Sequence, residues 1–126
     1  MNKALLSAAL FISAVCVFAP QAARAGGDAA NGAKLYPLKC GTCHALDLNK
    51  VGPMQRGIIG RKAGTAAGYN YSPALKASGI TWNEATIDKW LVKPAALVPG
   101  TKMVFNVPDA KDRADIIAYL KSIPAK

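Results

Sequence analysis

Within residues 26–126, every cysteine and the single histidine lie in five consecutive positions, Cys40-Gly41-Thr42-Cys43-His44. No other feature narrows the possible folds so far, because thiols and an imidazole this close together must serve one chemistry. A thioredoxin-like redox pair needs alternating strands and helices around it, and this chain has no run of four to eight β-branched residues to build a sheet. A structural zinc ion needs four ligands, more than two cysteines and one histidine supply. A disulfide across three residues closes a tiny loop and constrains the unfolded chain only slightly. Covalent attachment of haem is the chemistry that C-x-x-C-H serves without further ligands. On a helical turn, residues three and four apart share one side. Both sulfurs can then form thioethers to one porphyrin edge while His44 turns its imidazole to the iron.

Residues 1–25 read as a secretory signal peptide: Lys3, an apolar stretch from Ala4 to Ala19 broken by Ser7 and Ser13, then Pro20 and the small-x-small pattern Ala23-Arg24-Ala25. The apolar stretch is shorter than the ~20 residues that cross a bilayer, and Ser13-Ala14-Val15 is a poor lipobox before Cys16, so no stable membrane anchor is expected. Cleavage after Ala25 leaves one domain, 26–126, which is the periplasmic product. The hydrophobic fraction of 52% argues against disorder. Removing Lys3 and Arg24 from sixteen basic residues against seven acidic ones leaves a net +7, a charge that favours acidic partners. Export and the lack of a basic, aromatic-interleaved motif exclude nucleic acid.

With one histidine in the chain, a second imidazole is excluded as the sixth iron ligand. Met54, Met103, a lysine and water are the candidates. Met103 is favoured because it ends the turn-forming stretch Pro99-Gly100-Thr101-Lys102-Met103, between two helical patterns, where a loop can lie over the haem face. Met54 follows His44 too closely to cross easily to the other face and reads as core packing.

The pattern along the chain is all-α. Asp28 caps a first helix toward Lys39, with Ala33 and Tyr36 facing inward and Pro37 bending or ending it early. Lys50 to Asn70 is glycine-rich, without period, and reads as ordered loop wrapped on the cofactor. A short helix runs from Pro73 to Ser78 and is closed by Gly79. Another starts at Trp82 or Asn83 and runs through Val92, with Ile87, Trp90 and Leu91 at helical spacing. The last begins at Asp109, with Asp112 completing a resemblance to a capping box and Ile116, Ile117, Leu120 and Ile123 as its apolar stripe.

From Gly32 to Ser122 the chain resembles the class I cytochromes c, specifically the soluble bacterial forms near mitochondrial cytochrome c. The matching pieces are the Cys40–His44 motif, Gly52-Pro53, Gly60-Arg61-Lys62, Gly79-Ile80-Thr81-Trp82, Pro99 to Met103 and Asp115 to Leu120. The resemblance implies a small cytochrome c fold, with short helices and ordered loops around one haem c held by Cys40 and Cys43. By it, His44 and Met103 are the iron ligands, and Pro53 accepts a hydrogen bond from the other imidazole nitrogen. Arg61, Tyr71 and Trp82 hold the haem propionates, and Thr101 steadies the methionine loop. The first helix crosses the last through Gly32, Tyr36, Ile116 and Tyr119. Three departures stand out: the stretch between His44 and Gly52 is shorter than in mitochondrial relatives, Trp90 stands where a tyrosine is usual near the methionine sulfur, and Leu75 stands where a polar residue is common.

The function implied is periplasmic one-electron transfer by a monomer between respiratory or photosynthetic partners, not catalysis. Lys34, Lys39, Lys50, Lys93 and Lys102 are expected around the haem edge, steering acidic redox proteins such as a quinol-oxidising complex, a terminal oxidase or a reaction centre. The alternatives are a dedicated acceptor for one periplasmic dehydrogenase and a peroxidase or ligand sensor with a labile sixth ligand.

Overall fold

The computed structural model describes residues 26–126; the signal-peptide reading of 1–25 lies outside the described residues. Five helices follow in order: α1 Ala29–Lys39, α2 Pro73–Ala77, α3 Glu84–Val92, α4 Pro94–Leu97 and α5 Ala110–Lys121. The only β pairing among the described residues is an isolated bridge between Lys62 and Thr81, so the architecture is helical with long ordered connections.

Local chemistry accounts for the helix starts. The Asp28 carboxylate accepts from the backbone N–H groups of Ala30 and Asn31 at the head of α1, and Ser72 and Asp109 do the same for α2 and α5. At α3, Asn83 accepts from Thr86 N–H while the Thr86 hydroxyl accepts from Asn83 N–H, a reciprocal box. The box expected at α5 is one-sided, because the Asp112 carboxylate turns away to Lys39 at 3.1 Å. Pro37 does not end α1. It sits in the last turn, where the missing N–H removes a single bond, and the chain recovers through Cys40 N–H to Tyr36 O at 2.8 Å. Ala33, expected to face inward, is exposed; the buried face of α1 is Gly32 and Tyr36. The sequence reading also missed α4, which Pro94 starts at its first position.

The crossing of α1 over α5 organises the fold. A Cβ at Gly32 would overlap the Asp115 carbonyl and crowd Tyr119 Cβ, so only glycine permits this approach. One turn on, the Tyr36 and Tyr119 rings pack with centroids 5.4 Å apart. Beside them Asp115, 1% exposed, accepts from Asp28 N–H at 2.7 Å, Asn31 Nδ2 at 2.7 Å and Lys111 Nζ at 2.6 Å. The Lys111 ammonium, then the Asp28 and Asn31 donors, bring its carboxyl down to about 2. A buried charge with three donors is tolerable where an unpaired one is not. α5 also packs on α3, and α3 on α4, whereas the backbone of α2 stands off from the other helices. The space between α2, α3, α5 and the loops is the site.

Candidate functional site

One cavity of about 560 Å³ opens between the helices and loops, and its wall contains all nine residues singled out from the sequence: Cys40, Cys43, His44, Pro53, Arg61, Tyr71, Trp82, Thr101 and Met103. Met54 is not in that wall; it packs against the core.

The thiol pair and His44 lie on a single hydrogen-bonded turn just after α1. Cys43 N–H reaches Cys40 O at 3.1 Å and His44 N–H reaches the same carbonyl at 2.8 Å. Both cysteines are free. Burial pushes the Cys40 thiol up to about 11, so it carries little of the thiolate that would make it a redox nucleophile.

His44 is oriented from behind. Its Nδ1 lies 2.8 Å from the Pro53 carbonyl, which can only accept, so Nδ1 carries the proton and Nε2 keeps its lone pair. Burial lowers the imidazole's affinity for a second proton, against the opposing pull of the Pro53 bond. A neutral ring with one free nitrogen is what a metal requires. Gly52, whose role no spacing rule revealed, makes room for it: any Cβ there would overlap the His44 ring. Gly52 N–H also bonds Cys43 O at 2.8 Å, tying the returning loop to the cysteine turn.

Met103 arrives from the opposite segment. Trp90, buried on α3, donates its indole N–H to Met103 Sδ at 3.1 Å, and its ring meets Trp82 edge-on at 5.3 Å. Val107 N–H to Leu91 O, 2.8 Å, returns the chain after Met103 to α3. Arg61 donates to the Met54 and Arg56 carbonyls, and the Tyr71 hydroxyl accepts from Ala66 N–H at 3.0 Å. Both residues therefore have their rotamers set by backbone while still facing the cavity. Leu75 and Ile87 make that wall more apolar.

The donor set fits a covalently held haem: two thiols and an imidazole with a free Nε2 on one turn, and a thioether at another part of the same mostly apolar wall. Among the described residues no group of three His, Cys, Asp or Glu side chains forms a competing metal cluster.

Of the five lysines expected around the opening, Lys39 and Lys102 line it. Lys39 is paired with Asp112. Lys50 reaches Gly41 O, and Lys102 reaches Asn70 O above the Tyr69 ring. Lys34 and Lys93 form no salt bridge among the described residues. The exposed apolar side chains Leu38, Val51 and Val104 stand at the same rim.

Comparison with known proteins agrees with this site. The family model described as Cytochrome c matches residues 29–124. The chain is similar to cytochrome c2 of Rhodomicrobium vannielii, 48% identical over 102 residues covering 78% of this chain and 81% of that one. Against cytochrome c of Gibberella zeae the identity is 46% over 101 residues, covering 77% and 95%. The solved structure of cytochrome cH from Methylobacterium extorquens aligns with a TM-score of 0.73 and 51% identity, covering 76% of this chain and 99% of that one.

Proposed function

This chain belongs to the cytochrome c family, and from that premise we propose that it is a periplasmic one-electron shuttle whose haem iron is held between His44 and Met103. The family's members carry electrons and are not enzymes, and their haem c is bound through the cysteine pair, here Cys40 and Cys43. When bound, the haem supplies an iron centre that changes valence by one electron.

The chain's own residues determine how that happens. Cys40 and Cys43 would hold the group covalently through their sulfurs. His44 presents Nε2 because Pro53 holds the proton on Nδ1. Met103 offers a soft thioether, which favours the lower valence, and the apolar wall penalises the additional charge of the higher one. Both effects raise the midpoint potential. Were His44 and Met103 both to hold the iron, no protein-free position would be left for substrate or dioxygen, and the chemistry supplied would be outer-sphere electron transfer. Arg61, Tyr71 and Trp82 serve the propionates, and Thr101 steadies the loop that carries Met103.

The observation that carries this reading is the single cavity whose wall holds the thiol pair, an imidazole with a free Nε2 and the Met103 thioether. Lys34 and Lys93, with the lysines at the opening, support acidic redox proteins as partners. Among the described residues no helix is long and apolar enough to cross a membrane, and export rests on residues 1–25.

The absorption spectrum tests the ligand set: a sharp ferrous alpha band with a weak ferric band from iron–sulfur coordination is expected. Met103→His should abolish the latter and lower the midpoint; an unchanged midpoint removes Met103 from the ligand set. Rapid carbon monoxide binding by the reduced protein at neutral pH would instead favour the ligand-sensor or peroxidase reading.

A further inference from the structure

We propose that Asn49 is a positioning residue for His44, acting through the Pro53–Met54 peptide to set how strongly the imidazole donates to the iron. The proposal rests on the reading of His44 as an iron ligand. That peptide is bonded at both ends: its carbonyl accepts from His44 Nδ1–H at 2.8 Å, and its N–H donates to Asn49 Oδ1 at 2.9 Å.

The two bonds are coupled because the peptide is conjugated. A donor drawn toward an acceptor on the nitrogen side places more electron density on the carbonyl oxygen. Each bond in such a chain strengthens the next by about 10–30%. Asn49 therefore makes Pro53 O a better acceptor for the imidazole proton, which leaves Nε2 more electron-rich and stabilises the higher valence.

The orientation of the Asn49 amide is forced. Its Nδ2 donates to Ala67 O at 2.9 Å, so a flipped amide would set donor against donor and acceptor against acceptor. Among the described residues, Met54 N–H has no other side-chain acceptor. The same two loops are also joined by Tyr69 Oη donating to Val51 O at 2.6 Å, so losing the Asn49 bonds does not release one loop from the other. Asn49 thus answers to the peptide behind His44 on one side and to the 62–71 loop on the other.

The experiment uses the holoprotein with Asn49→Ala and Asn49→Asp, reading midpoint potential, absorption spectrum and hydrogen exchange at Met54 N–H. Both variants lose the bond to Ala67, but only Asn49→Ala loses the acceptor for Met54. Expected in Asn49→Ala are a raised midpoint and Met54 exchange faster by about tenfold; Asn49→Asp retains protection and has a lowered midpoint. A purely structural role predicts the reverse sign for Asn49→Ala, since a loosened loop admits water and favours the more charged iron. A midpoint in Asn49→Ala that falls or stays unchanged overturns the proposal, even with an intact iron–sulfur band. Loss of imidazole ligation in the unsubstituted protein would overturn both this proposal and the functional reading beneath it.

Discussion

Replacing Trp90 with phenylalanine isolates one bond to Met103, the proposed iron ligand. The indole N–H donates to Met103 Sδ at 3.1 Å, using sulfur electron density that an iron held by Met103, as proposed, would also draw on. The higher valence draws on it harder, so the bond opposes the higher valence more than the lower. A net hydrogen bond is worth about 0.5–1.5 kcal/mol, and sulfur is a weak acceptor, so the low end is the better guide. With ~59 mV for each tenfold change in a one-electron equilibrium, the ceiling is about 20–65 mV. Trp90→Phe keeps an aromatic ring against Trp82 and should lower the midpoint by an amount within that range. Trp90→Tyr, whose hydroxyl can donate, should recover part of the loss. Combined with Leu75→Asn, which makes the wall polar, it should lie below the native protein. Spectroelectrochemical titration of the four proteins at one pH and ionic strength is the assay. An unchanged or raised midpoint in Trp90→Phe, with the iron–sulfur band intact, refutes the argument.

Gly52→Ala should displace the His44 ring, since the new methyl occupies its place; loss of the native ferrous spectrum or destabilisation of at least ~1–3 kcal/mol is expected in denaturant titration. A haem-free Cys40→Ala, Cys43→Ala protein should be largely unfolded by circular dichroism, and a near-native spectrum would refute that. Asp115→Asn should be less stable at neutral pH. Because the native carboxyl is held at about 2 against an ordinary 3.8, its contribution is complete above the ordinary value and is lost as pH falls toward 2. The gap between the two proteins should therefore close over that window in denaturant titrations; a constant gap would mean that charge is not what Asp115 contributes.

Four of the five helices and the Cys40–His44 turn were legible because their signals are local. Asp28, Ser72, Asn83 and Asp109 are caps that act within three residues, and Ile87, Trp90 and Leu91 mark a buried face by spacing alone. What escaped depends on partners distant in the chain. The resemblance had placed Gly32 at the crossing, but that its neighbour Ala33 turns out to solvent follows only from the approach of the Asp115 carbonyl to Gly32. Asp112 had the spacing of a capping residue, yet Lys39 from α1 claims its carboxylate. Gly52 appeared as part of a motif, but its need to be glycine becomes visible only when the His44 ring lies against it. The short stretch from His44 to Gly52 still brings Pro53 back to His44, because Gly52 N–H, Gln55 N–H and Arg56 N–H bond to Cys43, Ala45 and Leu46 carbonyls and fold the loop onto the turn it left.

These connections also explain why the cofactor belongs to the fold as well as to the function. Close backbone approaches join α1 to α5, α5 to α3 and α3 to α4, while α2 stands off from them. Leu75 of α2 is buried, and it shares the cavity wall with Leu91, Ile116 and Leu120 from the other helices. Tyr71, Trp82, Ile87 and Trp90 of the buried core line the cavity as well, so a group filling it would extend that core. Residues that orient His44 and Met103 therefore act on stability and potential together; Trp90→Phe also removes buried ring volume, so the comparison that separates the electronic role from the structural one is with Trp90→Tyr, which loses similar volume but keeps a donor.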